Sequence, residues 1–578
     1  MTETILIEHP QRWDNPFSPE MTEEDVDRVL AREPFCHVDR AKFPSTASLR
    51  DLVKNDMRIR RYRDGDIVIR AGDYGHSAFL VLEGAVRVVL SPQLPERILG
   101  RQATTRRDFF GALSQLWTNP RTPEVRDPSR FGPGNGGGSS RAKDETRVFL
   151  QDVPGILDNH QTARLEAGEI FGEIAALGRT PRPASVFAEG DVELLEIRWQ
   201  GIRDIRRRDE ALRNHIDRLY RDRSLTFHLR ETPLFSHLSD DEIKKIADET
   251  RFETYGEFEW YASYKKLANR SAAEKLAHDP VIAEEGDYTD GIVLIRSGFA
   301  RVSQGTNGSH RTVSFLGRGE VFGFEEIAHN WLTGQHVCLQ RSLRALGYVD
   351  ILRVPTVIIE TYVLPNMSTD CVSRFQLPEP VSPHADGPVG WEAVPGDTAI
   401  DGGMLEFLVK NQYINGTATM MINLDTCTRC DDCVRACAAA HDNNPRFVRH
   451  GKRYGSFIVA NACMHCTDPV CMIGCPTGAI HRSSFEGQVV IDDDMCIGCA
   501  TCADSCPYDN IRMAEIRDAN NNFILDRQTN APILKATKCD LCVDQLGGPA
   551  CQRACPHDAL RRIDMGNLDA AANWLNGK

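Results

Sequence analysis

Apolar and polar residues alternate along "GDIVIRAGDYGHSAFLVLEGAVRV" (65–88) and again along "GDYTDGIVLIRSGFARV" (286–302). Period-two alternation punctuated by glycine predicts strand, turn, strand. The two stretches share one pattern. Gly72-Asp73-Tyr74 starts twelve positions before Gly84, and Gly286-Asp287-Tyr288 starts twelve before Gly298. Each copy then reaches a Phe-Gly pair and a helical run, "EIFGEIAALG" and "EVFGFEEIAHN". Gly72 and Phe171 are 99 positions apart, whereas Gly286 and Phe322 are 36 apart. The first copy therefore carries a long insertion, about 95–160. Its stretch "RFGPGNGGGSSRAKDE" has too little apolar content to pack and reads as a mobile loop. Between the copies, "LFSHLSDDEIKKIADE" predicts a helix capped by its serine. After the second copy, the proline- and glycine-dense "LPEPVSPHADGPVGWEAVPGDTAIDGG" reads as a linker.

A polypeptide of 578 residues has room for three or four domains. With 41% apolar and 26% charged residues it has the composition of packed cores. A net charge of −14 argues against a broad basic surface for nucleic acid. There is no apolar run of membrane-spanning length and no basic-then-apolar leader, so a soluble, cytoplasmic protein is expected.

Cysteine changes the picture. Of nineteen, only Cys36, Cys338 and Cys371 precede residue 427; they match no spacing and read as small structural residues. The other sixteen form four runs: "CTRCDDCVRAC", "CMHCTDPVCMIGC", "CIGCATCADSC" and "CDLCVDQLGGPACQRAC". Each has a close pair, a third cysteine, and a fourth after three intervening residues. Pro476, Pro507 and Pro556 follow the last three runs directly. This is the spacing of bacterial ferredoxins, in which three thiolates of a run hold one cubane cluster and the fourth serves its neighbour. Structural zinc is the alternative, but zinc sites pair two distant knuckles and do not repeat a triplet-plus-one.

On these motifs the segment from about 420 to 562 resembles the four-cluster iron–sulfur subunits of the dimethyl sulfoxide reductase family. The resemblance implies four [4Fe–4S] clusters with ligands exchanged between runs. Cys427, Cys430 and Cys433 would join Cys555, and Cys437 would join Cys539, Cys542 and Cys551. Cys463, Cys466 and Cys471 would join Cys506, and Cys475 would join Cys496, Cys499 and Cys502. It also implies an electron wire to a separate oxidoreductase subunit. His441, His465 and His557 lie near these cysteines and read as packing residues.

The glycine-spaced strands followed by "FGEIAALGRTPRPASV" resemble the cyclic-nucleotide-binding domain, a β jelly roll with a phosphate-binding cassette. The resemblance assigns backbone N–H groups of Gly172, Glu173 and Ala175 to a phosphate, with Arg182 supplying charge. Glu173 would take the ribose hydroxyl, and Ala184 and Ser185 would complete the cassette. One departure stands out: Pro183, after the arginine, lacks the N–H that the family offers there. In the second copy Phe324 replaces the glutamate and Leu339 the arginine, so that domain reads as degenerate.

The fold expected is a multidomain α+β protein with an N-terminal helical segment (1–44) and two β jelly rolls (45–225 and 226–376). A linker (377–405) and a C-terminal poly-ferredoxin domain (406–578) follow. The function expected is an electron-transfer protein gated by cAMP or cGMP, with no catalytic constellation of its own and with partners that include neither nucleic acid nor a membrane. A redox or oxygen sensor is the alternative. A self-contained enzyme, with flavin held by the insertion, is a third reading.

Overall fold

The computed structural model describes residues 5–91, 94–95, 99, 118–131, 150, 153–178, 180–267, 270, 272–306, 309–367, 400–484, 486–545 and 547–575. Cys371, the linker at 377–399 and most of the glycine-rich stretch of the insertion lie outside these residues.

The first repeat is a jelly roll built on two long strands, Ser77–Ser91 and Ser185–Arg198, paired antiparallel. Met57–Tyr62 and Gln161–Glu166 flank them. Their inward side chains, among them Phe79, Val86, Phe171 and Leu194, form one core. Ser91 pairs directly with Gln161, so the insertion leaves and re-enters the sheet at the end of one hairpin. In the second repeat two four-stranded sheets enclose Val293, Val302, Leu343 and Ile351. Gly72 and Gly286, like Gly84 and Gly298, all have φ between 82° and 90°. The turns therefore need glycine, and the repeat read from spacing is a repeat in backbone.

A 22-residue helix, Glu210–Glu231, joins the two jelly rolls, and the expected boundary at 225 falls inside it. The predicted cap after it is present: Ser239 and Glu242 form a capping box on Asp240–Glu249.

The N-terminal segment is not a unit of its own. Its helix Glu23–Leu30 and the next helix, Leu49–Asp56, bury Val26, Leu52 and Val53 against Ile197 and Ile202 of the first jelly-roll domain. Ahead of them Leu6–Ile7 pairs in parallel with Leu525–Asp526 of the C-terminal domain. The insertion also departs from expectation where it is described. Residues 118–131 lie along the C-terminal domain, and Phe131 is buried among Ile516, Ile524 and Ile533. Arg126 pairs with Asp493 at 3.1 Å and Arg130 with Asp494 at 2.6 Å.

The C-terminal domain starts inside the expected linker, with the helix Gly402–Lys410 capped by Asp401. Its four-stranded sheet places Thr419–Asn423 beside Leu560–Ile563. That pairing brings the first cysteine run to the last, although they are more than a hundred residues apart. No helix among the described residues is long and apolar enough to cross a membrane.

Candidate functional site: four cysteine quartets and a jelly-roll cassette

The cysteine loops turn by left-handed residues: Arg429 and Asp431, His465, Ala500, and Leu541 with Cys542. Such αR–αL turns aim successive N–H groups into one concavity, which suits an anionic cluster. N–H groups already lie on the sulfurs: Arg446 on Cys437 at 3.3 Å, Asn510 on Cys506 at 3.4 Å and Ala559 on Cys555 at 3.3 Å. The Arg562 guanidinium donates to Cys539 Sγ at 3.0 Å.

The thiols lie close to one another across the runs. Cys427, Cys433 and Cys555 pack beside Cys437 and Cys551 in one apolar cluster. Burial raises Cys437, whose thiol neighbours are Cys539, Cys551 and Cys542. Burial likewise raises Cys471, beside Cys506, Cys463 and Cys466. Cys475, Cys496, Cys499 and Cys502 line one small cavity. Burial pushes Cys433 and Cys506 up to about 11 and Cys542 to about 12. As bare thiols they hold their protons; ligation needs them as thiolates, so a cation must supply the compensating charge. Cys430 and Cys499 are the exposed members of the sixteen.

The three histidines differ. His557 is exposed, and His465 is buried with its Nδ1 accepting from Val489 N. His441 does more than pack: its Nε2 is 3.3 Å from Cys542 Sγ and 3.3 Å from an Asp540 oxygen. Cys36, expected as a small structural residue, is exposed.

The first jelly roll assembles its cassette, but folds it inward. Arg182 is buried and donates to the carbonyls of Gly172 at 2.5 Å and Ser77 at 2.7 Å. Gly75 leaves the room its guanidinium needs: a Cβ there would lie 2.1 Å from it. Burial lowers Arg182 to about 10. Glu173, also buried, is raised by desolvation and faces Arg223 of the connecting helix at 3.5 Å. Ser185 Oγ accepts from Ala71 N at 3.0 Å. Ala175 is buried in the short cassette helix, and Ala184 is half-buried just before the strand. Beside Arg182 and Pro183 lies a cavity of about 580 Å³, lined also by Leu294 and Arg318 of the second jelly roll.

In the second copy the cassette positions carry other side chains. Gly286 N donates to Leu339 O at 2.8 Å, as Gly72 N does to Arg182 O, so Leu339 occupies the arginine's position. The next N–H, of Gln340, donates to the Glu326 carboxylate at 3.1 Å. The N–H at the position that corresponds to Pro183 is thus taken by a side-chain carboxyl of the same domain. Glu326 was not singled out by sequence; only its place on the cassette helix could have flagged it.

Residues 59–126, 156–209 and 273–362 match the cyclic nucleotide-binding domain family, and residues 455–565 match the 4Fe-4S dicluster domain family. Electron transport protein HydN of Escherichia coli is 34% identical over 155 residues, which cover 25% of this protein and 86% of the relative. One of the chains of the anaerobic dimethyl sulfoxide reductase of Escherichia coli is 31% identical over 168 residues, 26% of this protein and 72% of the relative. This protein belongs to the same iron–sulfur electron-transfer family. Among solved structures, the regulatory domain of Toxoplasma gondii PKA with cAMP is 14% identical at a TM-score of 0.21, covering 62% of this protein and 97% of that one. The iron–sulfur protein thus joins a cluster domain to jelly rolls of the cyclic-nucleotide type in one polypeptide.

Proposed function

We propose that the protein carries four [4Fe–4S] clusters as a single wire to a separate redox subunit, and that cyclic nucleotide at the first jelly roll adjusts it. The observation that carries the wire is the order of the quartets. Cys433 lies by Cys551, which links the Cys427/430/433/555 group to the Cys437/539/542/551 group. Arg562 bridges onward, donating to Cys539 Sγ at 3.0 Å and to Cys463 O at 3.1 Å. Cys471 has Cys502 of the last group as a neighbour. The two end groups are the ones with an exposed cysteine, Cys430 and Cys499, where electrons enter and leave.

The gating reading rests on a series of contacts. The turn held by Arg182, through Arg182 N to Asp73 O at 2.7 Å, continues to Tyr74, whose N–H donates to Ser484 O at 2.7 Å. The Tyr74 ring lies 4.8 Å under the Arg482 guanidinium. Arg482 in turn donates to the carbonyls of Cys466 and Thr467. A nucleotide that draws Arg182 towards its phosphate disturbs the far end of this series at a cluster ligand. For that to be allostery the ligand must favour one arrangement over the other. The test of the wire is anaerobic metal analysis: about sixteen irons per polypeptide are expected, four for each quartet. Stoichiometric zinc without iron would overturn it.

A further inference from the structure

A cavity of about 940 Å³ lies where all three domains meet; it touches the first cassette stretch at Thr180. Two aromatic groups line it. Phe258 lies between Trp199, at 6.4 Å, and Tyr348, at 5.4 Å, while Phe299 and Phe315 meet edge to face at 6.0 Å. Five arginines also line it: Arg203, Arg206, Arg207, Arg213 and Arg318.

Carboxylates are present as well, and each has at least one oxygen engaged internally, although Asp468 Oδ1 is buried with no hydrogen-bond partner among the described residues. Asp217 is held by Arg206 at 2.5 Å and Glu259 by Arg207 at 2.6 Å. Glu320 accepts from Gly317 N, Asp564 from Gly566 N and Asp468 from the Trp260 indole. Asp350 accepts from Thr254 and Ser297. The guanidiniums keep donors in reserve. Arg206 Nε is buried with no acceptor among the described residues, and Arg213 and Arg318 each pair with a glutamate outside the cavity wall. Arginine offers five donors, so one carboxylate leaves most of them for an anion.

Sites for cofactors concentrate at domain interfaces, with aromatic walls and a few polar anchors. Part of the wall is Thr467, Asp468 and Ile473, from the loop that carries Cys466 and Cys471. We infer that this cavity binds a planar heteroaromatic phosphate of the flavin mononucleotide class, its ring between the aromatic groups and its phosphate on the arginines. The choice of a redox-active ring over a cyclic nucleotide rests on the cluster reading of Cys466 and Cys471; the binding itself does not.

The test is titration of the anaerobic full-length protein with flavin mononucleotide, followed by quenching of flavin fluorescence. Riboflavin, without the phosphate, runs in parallel. Saturable quenching is expected, with riboflavin at least about tenfold weaker. Arg207→Glu and Arg213→Glu, both at the exposed rim, should each weaken flavin mononucleotide by about tenfold while leaving iron content unchanged. Absence of quenching would overturn the inference. So would equal affinity for riboflavin, indifference to both rim reversals, or direct competition by cAMP, which would place the ligand in the jelly roll instead.

Discussion

Pro183 and Arg182 set the nucleotide site at the scale of single residues. Arg182 already has two carbonyl acceptors, and Pro183 removes an N–H that a phosphate would use. One hydrogen bond to a charged group contributes about 1.5–3 kcal/mol, so Pro183→Ala should tighten cAMP about tenfold or more. Calorimetric titration checks this, and Arg182→Ala should abolish the signal. The cassette spacing pointed to Arg182 as a ligand for phosphate; in the structure its guanidinium donates to Gly172 O and Ser77 O. Its inward fold was not legible in the sequence, because the acceptor at Ser77 and the space at Gly75 lie about a hundred positions upstream. His228 makes a second prediction at this scale. Burial pushes its imidazole down to about 2, from 6.5. The unfolded polypeptide takes up a proton below 6.5 that the folded ring refuses, so the stabilisation present above that pH is lost as pH falls. Between about pH 7 and 5 the melting temperature of the native protein should drop more steeply than that of His228→Gln. Parallel slopes would contradict this origin.

At the scale of elements, sequence pattern did best where the signal is local. The Ser239 cap, the glycine turns of both jelly rolls and the cysteine loops all have their causes within a few residues. The insertion did worst, because its partner is far away. Composition marks it as polar, yet Phe131 finds an apolar site formed by Ile516, Ile524 and Ile533. Lys535 Nζ covers the ring at 4.0 Å. Upstream, Asn119 Nδ2 donates to Ala439 O at 2.7 Å, at the end of the helix that carries Cys433 and Cys437. The described part of the insertion therefore acts as a strap from the first jelly roll onto the cluster domain. Phe131→Ala removes a buried aromatic ring and should cost about 3 kcal/mol, read as a lower midpoint for thermal loss of the cluster absorbance. An unchanged midpoint would mean that the strap carries no load there.

At the scale of the whole molecule, the N-terminal and C-terminal halves are tied at several separate places. Leu6–Ile7 adds to Leu525–Asp526, the strap crosses to Asp493 and Asp494, and Tyr74 meets Arg482. Arg203 donates to Ile473 O at 2.7 Å, between Cys471 and Cys475 of the second cysteine run. Such ties set the nucleotide-type domain directly against the clusters. They were invisible in the sequence, since each pairs residues hundreds of positions apart. The central claim is that the first jelly roll and the clusters are one coupled device, and a potentiometric titration of the anaerobic protein, with and without cAMP, addresses it most directly. The account predicts about four one-electron reductions per polypeptide, with at least one midpoint moved by cAMP and the movement lost in Arg182→Ala. Fewer reductions, or midpoints that ignore saturating cAMP, would contradict it.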